Sequence, residues 1–328
     1  MNPVSMKALI EKSDRYIFGT YTRSPIVLAR GEGMRVWDTN GKEYLDFVSG
    51  IAVLNVGHLH PRVIEAIQKQ SRKLMHVSNL FYSEPQIRLA ELLVTHSFAD
   101  KVFFCNSGAE ANEAAIKLAR KVFNDRGEKN RYEIITMEQS FHGRTMAALS
   151  ATEQKKFHCG FEPLLTGFTY VPFNNSQAVE DAITDATCAV MVEPIQGEGG
   201  VNCPAPDYLK QLRELCDRHG LLLIFDEVQV GMGRTGKLFA YEHYGVEPDI
   251  MTLAKALAGG MPIGAMLAKE GCAASFSAGT HASTFGGNPL ATAAGVATLE
   301  VLLEDSFLDN CRQRGEYFYA RLAALKEK

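Results

Sequence analysis

Three short segments carry side chains whose types and surroundings could do chemistry. Lys255 lies in Thr252-Leu-Ala-Lys-Ala-Leu-Ala-Gly-Gly260, among small and apolar neighbours. Burial there would lower its pKa and free a neutral amine as a nucleophile toward carbonyls. A lysine whose stem lies along a helix while its ammonium reaches water fits the same residues. Asp226 follows Leu221-Leu-Leu-Ile-Phe225, the most apolar strand-like run in the chain. A carboxylate at that point is partly withdrawn from water and needs a partner. A protonated heterocyclic nitrogen would serve, and the acid would keep that nitrogen protonated. An N-cap or a loop ion pair would also satisfy it. Ser107-Gly108-Ala109 follows a short apolar run and opens a helical pattern, where free N–H groups and a hydroxyl suit a phosphate. Ser107 with Glu110 also spells a capping box, and capping alone accounts for the segment.

Two other motifs offer competing chemistry and fail on context. Gly231-Met-Gly-Arg-Thr-Gly236 fits the dinucleotide fingerprint, and with Lys237 it fits a phosphate loop. The phosphate loop needs Ser or Thr after the lysine to hold magnesium, and here Leu238 follows. The dinucleotide motif should follow its strand directly and open a good helix. Here Glu227-Val-Gln-Val230 intervenes, and Leu238–Tyr244 is a weak helix signal. The stretch reads as a glycine-rich active-site loop. His58 and His60 lack a third ligand at a fitting spacing, and Pro61 marks a helix start, so no metal is expected.

The elements that must position these residues alternate between strand and helix. Lys101–Cys105, Ile134–Met137, Ala189–Val192, Leu221–Phe225 and Ile263–Ala268 read as buried strands. Ala109–Val122 and Tyr208–His219 read as helices, the second stopped by Gly220. Continuous apolar strands separated by helices predict an α/β fold with a mostly parallel sheet covered on both faces. Ligands in such sheets bind beyond the carboxyl ends of the strands, which directs attention to Ser107, Glu193 and Asp226. The tail from Ala291 to Lys328 is helical in pattern and stops within charged helix.

Composition narrows the class. The chain has 328 residues, 46% of them hydrophobic, enough for one large domain and a smaller one. A net charge of −4 with mixed signs implies no polyanion partner. The densest basic stretch, Lys117–Arg131, is broken by Asp125 and Glu128 and reads as a solvated helix end rather than a nucleic-acid patch. The seven cysteines stand singly, without a C-x-x-C pair, which suits a reducing compartment. Met1–Tyr21 has no apolar signal core, and no apolar run is long enough to span a membrane, so a cytoplasmic location is expected.

Six segments occur together in a familiar order. They are Asn106-Ser-Gly-Ala-Glu-Ala-Asn112, Phe141-His-Gly-Arg144, Glu193-Pro-Ile-Gln-Gly-Glu-Gly-Gly200, Phe225-Asp-Glu-Val-Gln229, Leu253-Ala-Lys-Ala256 and Ser283-Thr-Phe-Gly-Gly-Asn288. From about Tyr21 onward the sequence resembles the class III, ornithine-type, pyridoxal-phosphate (PLP) aminotransferases, and within them the acetylornithine branch. The resemblance implies the type I PLP-transferase fold: a mostly parallel central sheet with helices on both faces, plus a smaller α+β domain. It implies that Ser107, Gly108 and Ala109 hold the cofactor phosphate. Phe141 and Val228 would cover the two ring faces, Asp226 would pair with the ring nitrogen, and Gln229 would bond the ring hydroxyl. Lys255 would hold the cofactor as a Schiff base. Thr284 would reach the phosphate of a partner subunit's cofactor, which implies a homodimer. Arg144 would clamp the substrate α-carboxylate, Ser283 would face substrate, and Glu198 would separate donor from acceptor. The N-terminal segment near Tyr21 is expected to contribute to the donor pocket.

The implied reaction moves the terminal amino group of N-acetyl-L-ornithine to 2-oxoglutarate in arginine biosynthesis. Succinylornithine or ornithine as donor fits the same motifs, as does a PLP-binding chain with little turnover. Residues 1–50 are expected to join the small domain, 51–287 to form the large PLP-binding domain, and 288–328 to form a connecting helix and the start of the small domain. Family members continue past Lys328, so the small domain is expected to be C-terminally truncated.

Overall fold

The structure, a computed structural model, describes residues 5–327. A small antiparallel sheet comes first, built from β1 (Leu28–Glu32), β2 (Arg35–Asp38) and β3 (Glu43–Leu45). A seven-stranded sheet follows. Its strands are β4 (Lys101–Cys105), β5 (Glu133–Met137), β6 (Phe168–Val171), β7 (Thr187–Val192), β8 (Leu222–Asp226), β9 (Ile250–Leu253) and β10 (Gly264–Ala268). Their order is β4-β10-β9-β8-β7-β5-β6.

All the pairings among β5 to β9 are parallel, while β10 runs antiparallel to both β4 and β9. The mostly parallel α/β sheet expected from the apolar runs is therefore present, with one reversed strand. That reversal has a positional consequence. Two antiparallel steps cancel, so β4 points the same way as β9. Cys105 stands opposite Gly264, Ala265 opposite Leu253, Thr252 opposite Asp226, and Phe225 opposite Val192. The carboxyl ends of β4, β7, β8 and β9 thus share one edge of the sheet.

Every residue of β7, β8, β9 and β10 is buried. Successive side chains of a strand point to opposite faces, and each face meets its own helices. Ile134, Ala189, Leu222 and Ile224 pack with the Gly108–Asp125 helix through Ala114, Ala115, Leu118 and Val122. Ile135, Val190, Leu223 and Phe225 pack with Leu209 and Leu212 of the Tyr208–His219 helix. Alanines on the first helix let its axis approach the sheet closely. Each large side chain buried in this way contributes roughly 1.5–3 kcal/mol. The second helix ends where expected, at Gly220, whose φ of 61° completes a left-handed C-cap.

Strands β6 and β9 go beyond the five runs read as strands from the sequence. Ile250–Leu253 is only four residues long and runs straight into Ala254-Lys255 without a turn residue. The weak helix signal at Leu238–Tyr244 becomes a short 3₁₀ turn over Ala240–His243. The tail forms two helices, Pro289–Leu302 and Phe307–Lys326. Pro61 opens the Pro61–Ser71 helix as expected, and His58 bonds Asp46 at 2.7 Å. No described helix is long and apolar enough to cross a membrane.

Candidate active site

A cavity of about 440 Å³ lies at the shared strand edge. Lys255, Asp226 and the Ser107–Ala109 turn all line it, although 148 residues separate Lys255 from Ser107 in the chain.

Asp226 is the last residue of β8 and is 3% exposed. Its Oδ2 accepts hydrogen bonds from Asn112 Nδ2 and His142 Nδ1, each at 2.7 Å. Its Oδ1 accepts from the Val228 N–H at 3.0 Å. Asn112 is fixed in turn: its Nδ2 also donates to the His142 carbonyl, and Thr252 Oγ1 donates to its Oδ1, both at 2.7 Å. The carboxylate is therefore neither an N-cap nor the partner of a lysine or arginine. Helix, turn and two strands hold it in one orientation. Burial alone would lower the pKa of the His142 imidazole. The hydrogen bond and charge of Asp226, helped by the charge of Glu193, outweigh that and raise it. His142 Nε2 is buried without a partner.

Lys255 departs from the snorkelling alternative. It follows β9 after one residue and opens a four-residue 3₁₀ turn instead of lying along an α-helix. Its φ is +42°, a left-handed value that costs on the order of 1–3 kcal/mol for a residue with a side chain. The half-buried amine enters the cavity and donates to Gln229 Oε1. Burial lowers its pKa, against the opposing charges of Asp226, Glu198 and Glu193. A larger share of neutral amine follows at any given pH.

Ser107 is the N-cap of the Gly108–Asp125 helix, and its Oγ accepts from the Glu110 N–H at 3.2 Å. The reciprocal half of the expected capping box is displaced. Glu110 Oε2 accepts from the Asn106 N–H at 2.6 Å, one residue before the cap. The N–H groups of Gly108 and Ala109 lie in the first turn, where no intrahelical acceptor exists. They face the cavity at the positive end of the helix dipole, a ready anion site. A Cβ on Gly108 would lie 2.6 Å from Val228 Cγ1, so glycine is what lets the turn and the Val228 segment close on each other.

Phe141, Val228 and Gln229 also line the cavity. So do Arg144 and Glu198, both exposed. The Arg144 guanidinium sits 3.8 Å from the Phe157 ring centroid. Ten of the sequence-predicted site residues thus meet in one place: Ser107, Gly108, Ala109, Phe141, Arg144, Glu198, Asp226, Val228, Gln229 and Lys255. Three do not. Ser283 and Thr284 line a neighbouring pocket beside Asn106 and Glu110. Ser283 Oγ accepts from Asn106 Nδ2 at 3.2 Å and from the Gly286 N–H at 2.9 Å. Tyr21 is 72% exposed and lines none of this cavity.

The Gly231–Gly236 loop corrects another expectation, for none of its residues lines the cavity. Asn55 Nδ2 donates to the Met232 carbonyl at 2.9 Å, and a Cβ on Gly236 would lie 3.3 Å from Arg312 Cβ. Gly233 and Gly236 come close to Leu308 and Arg312 of the Phe307–Lys326 helix, and Gly231 packs on Glu227 and Leu253. Conversely, Asn112, His142 and Glu193 line the cavity without a role having been read for them. Asn112 and His142 stand inside quoted motifs, and Glu193 ends a strand. Those positions were the available signal.

The donor set suits a particular molecule. A buried acid held in one orientation by fixed hydrogen bonds fits a basic ring nitrogen. A helix N-terminus with free N–H groups fits a phosphate. An amine of lowered pKa between them fits a carbonyl. Pyridoxal phosphate carries all three groups.

Comparison with known proteins agrees. The family described as Aminotransferase class-III matches residues 18–328. An acetylornithine aminotransferase of Caldanaerobacter subterraneus is 56% identical over 320 residues, covering 98% of this chain and 81% of that protein. One from Methanocaldococcus jannaschii is 54% identical over 99% of this chain and 82% of its own length. Among solved structures, the ornithine aminotransferase of Toxoplasma gondii superposes with a TM-score of 0.93 at 38% identity, covering 97% of this chain and 76% of its own. The acetylornithine aminotransferase of Elizabethkingia anophelis gives a TM-score of 0.88 at 37% identity, covering 99% and 80%.

Proposed function

The chain belongs to the class III aminotransferases and is a PLP-dependent transaminase, and from that premise we propose that it transfers the terminal amino group of N-acetyl-L-ornithine to 2-oxoglutarate. The products are the semialdehyde and glutamate, a step of arginine biosynthesis. The observation that carries the chemistry is Lys255 and Asp226 facing one cavity, with the Ser107–Ala109 turn beside them. The choice of donor rests on relatives above 50% identity that bear the acetylornithine name.

When bound, pyridoxal phosphate supplies an electron sink for the substrate carbon. The protein's residues do the rest. Ser107 and the N–H groups of Gly108 and Ala109 hold the phosphate. Phe141 and Val228 would confine the ring, and Gln229 would bond its hydroxyl. Asp226, oriented by Asn112 and His142, keeps the ring nitrogen protonated and so strengthens the sink. Lys255 first holds the cofactor. The Lys255 amine, when free and neutral, would serve as the base that takes up and returns the substrate carbon's proton. Arg144 grips the α-carboxylate through paired N–H donors and fixes which bond is broken. Glu198, also exposed in the cavity, separates the amine donor from the dicarboxylate acceptor.

Thr284 and Ser283 lie outside this cavity, which suits a homodimer in which Thr284 reaches the phosphate in the partner's site. Tyr21 would then meet the donor. The described cysteines are all unpaired, which suits a reducing, cytoplasmic compartment. A panel of amino donors with 2-oxoglutarate, read as glutamate formed, tests the proposal. N-acetylornithine should exceed succinylornithine and ornithine. No glutamate from any ornithine derivative would sink it.

A further inference from the structure

Glu193 is a buried acid that the reaction above does not use. It directly follows β7, is 4% exposed, and lines the cavity. Its Oε2 accepts from the Phe141 N–H at 3.0 Å, and its Oε1 accepts from the Gly197 N–H at 3.4 Å. The first donor belongs to the turn that carries Phe141, His142 and Arg144. The second belongs to the loop that carries Glu198. Both segments line the cavity, and one carboxyl group bonds to each.

The same two segments are pressed together nearby. Gln196 Nε2 donates to the Glu138 carbonyl at 2.8 Å. A Cβ on Gly199 would lie 2.6 Å from the Gln139 carbonyl oxygen. The Glu193 bonds are the ties on the cavity side of this contact, so losing them should be felt at the wall.

We propose that Glu193 is a positioning residue whose carboxylate ties the Phe141 turn to the Glu198 loop, and that protonating it loosens the cavity wall. The proposal rests on the transaminase reading of this cavity. The logic is one of donors and acceptors. Two N–H groups point at two carboxylate oxygens, and the ionised form accepts from both at full strength. A protonated carboxyl keeps one good acceptor, while its hydroxyl oxygen accepts only weakly, so one of the two bonds is weakened. Burial pushes the Glu193 carboxyl up to about 7, with the charge of Asp226 adding to burial, while the His142 charge and the two N–H donors pull the other way. The charged groups around it are His142 on the Phe141 turn, Asp226 on β8, Lys255 after β9 and Glu198 on its own loop. The tie is therefore complete above neutral pH and opens as pH falls below it.

Glu193→Gln fixes the loosened state, because an amide oxygen serves one N–H and the NH₂ repels the other. At about pH 8 the variant should lose roughly tenfold to a hundredfold in kcat/KM, the scale of a hydrogen bond to a charged group. Its profile should lack the acidic limb that the wild type shows near pH 7, and the two curves should converge below about pH 6. A variant that retains the limb and the wild-type rate overturns the proposal.

Hydrogen exchange on the PLP-loaded wild type decides the matter without any variant. Corrected for intrinsic rates, the Phe141 and Gly197 amides should exchange faster at pH 6 than at pH 8. Protection that does not change with pH overturns the tie even if Glu193→Gln fails to fold. If no ornithine derivative is turned over, exchange still tests Glu193, so the two failures are distinguishable.

Discussion

The two walls of the cavity are built on opposite plans. Behind the expected ring nitrogen, Asn112, His142 and Asp226 are 1%, 2% and 3% exposed, and each is fixed by hydrogen bonds of 2.7 Å. On the substrate side, Arg144 and Glu198 are exposed, and the Arg144 guanidinium rests on an aromatic ring. One wall meets a group that never changes, so its dipoles can be set in advance and cost no reorganisation during the reaction. The other must receive an amine donor and then a different acid in the same space. Fixed buried charges there would fit one substrate and exclude the other. Rigidity is concentrated where the ligand is constant, and adjustability where it alternates.

Substitutions should separate the walls, in descending order of effect. Lys255→Ala removes both the attachment point and the base, and single-turnover rates should fall by about a thousandfold or more, while the phosphate turn still binds the cofactor. Near-normal transamination would remove Lys255 from the mechanism. Asp226→Ala should cost on the order of 10²–10³-fold in kcat. It also strands the donors of Asn112 and His142, for a stability loss of about 1–3 kcal/mol visible in thermal unfolding. A small rate effect with the full stability loss would make the carboxylate structural. Arg144→Lys keeps the charge and loses the paired grip, so KM for carboxylate substrates should rise by roughly tenfold with kcat little changed. A collapse of kcat instead would place Arg144 on the rigid wall and break the contrast.

Much of this was legible in the chain. Leu221–Phe225 and Ala189–Val192 read as strands because both faces of the sheet are covered, and their ends marked Asp226 and Glu193. The Tyr208–His219 helix was bounded by its own amphipathic pattern and by Gly220. What was hidden is tertiary. The bonds from Asn112 and His142 to Asp226 cross 114 and 84 residues, so no local pattern displays them. Lys255 looked like a helix lysine because its neighbours are helix formers. The positive φ at Lys255 that overrides those propensities exists only in the fold. Glu110 spelled a capping box, but its carboxylate serves Asn106, where the chain turns out of β4. The Gly231–Gly236 loop reads as an active-site loop and serves packing, because glycine spacing records close approach without recording what approaches.

The most direct single measurement is the visible absorption spectrum of the PLP-loaded protein before and after N-acetylornithine, then after 2-oxoglutarate. The yellow band should bleach with the donor and return with the acceptor, which requires Lys255, Asp226 and the donor pocket to act together. A band that never changes with any ornithine derivative would contradict the assignment of this cavity as a working transaminase site.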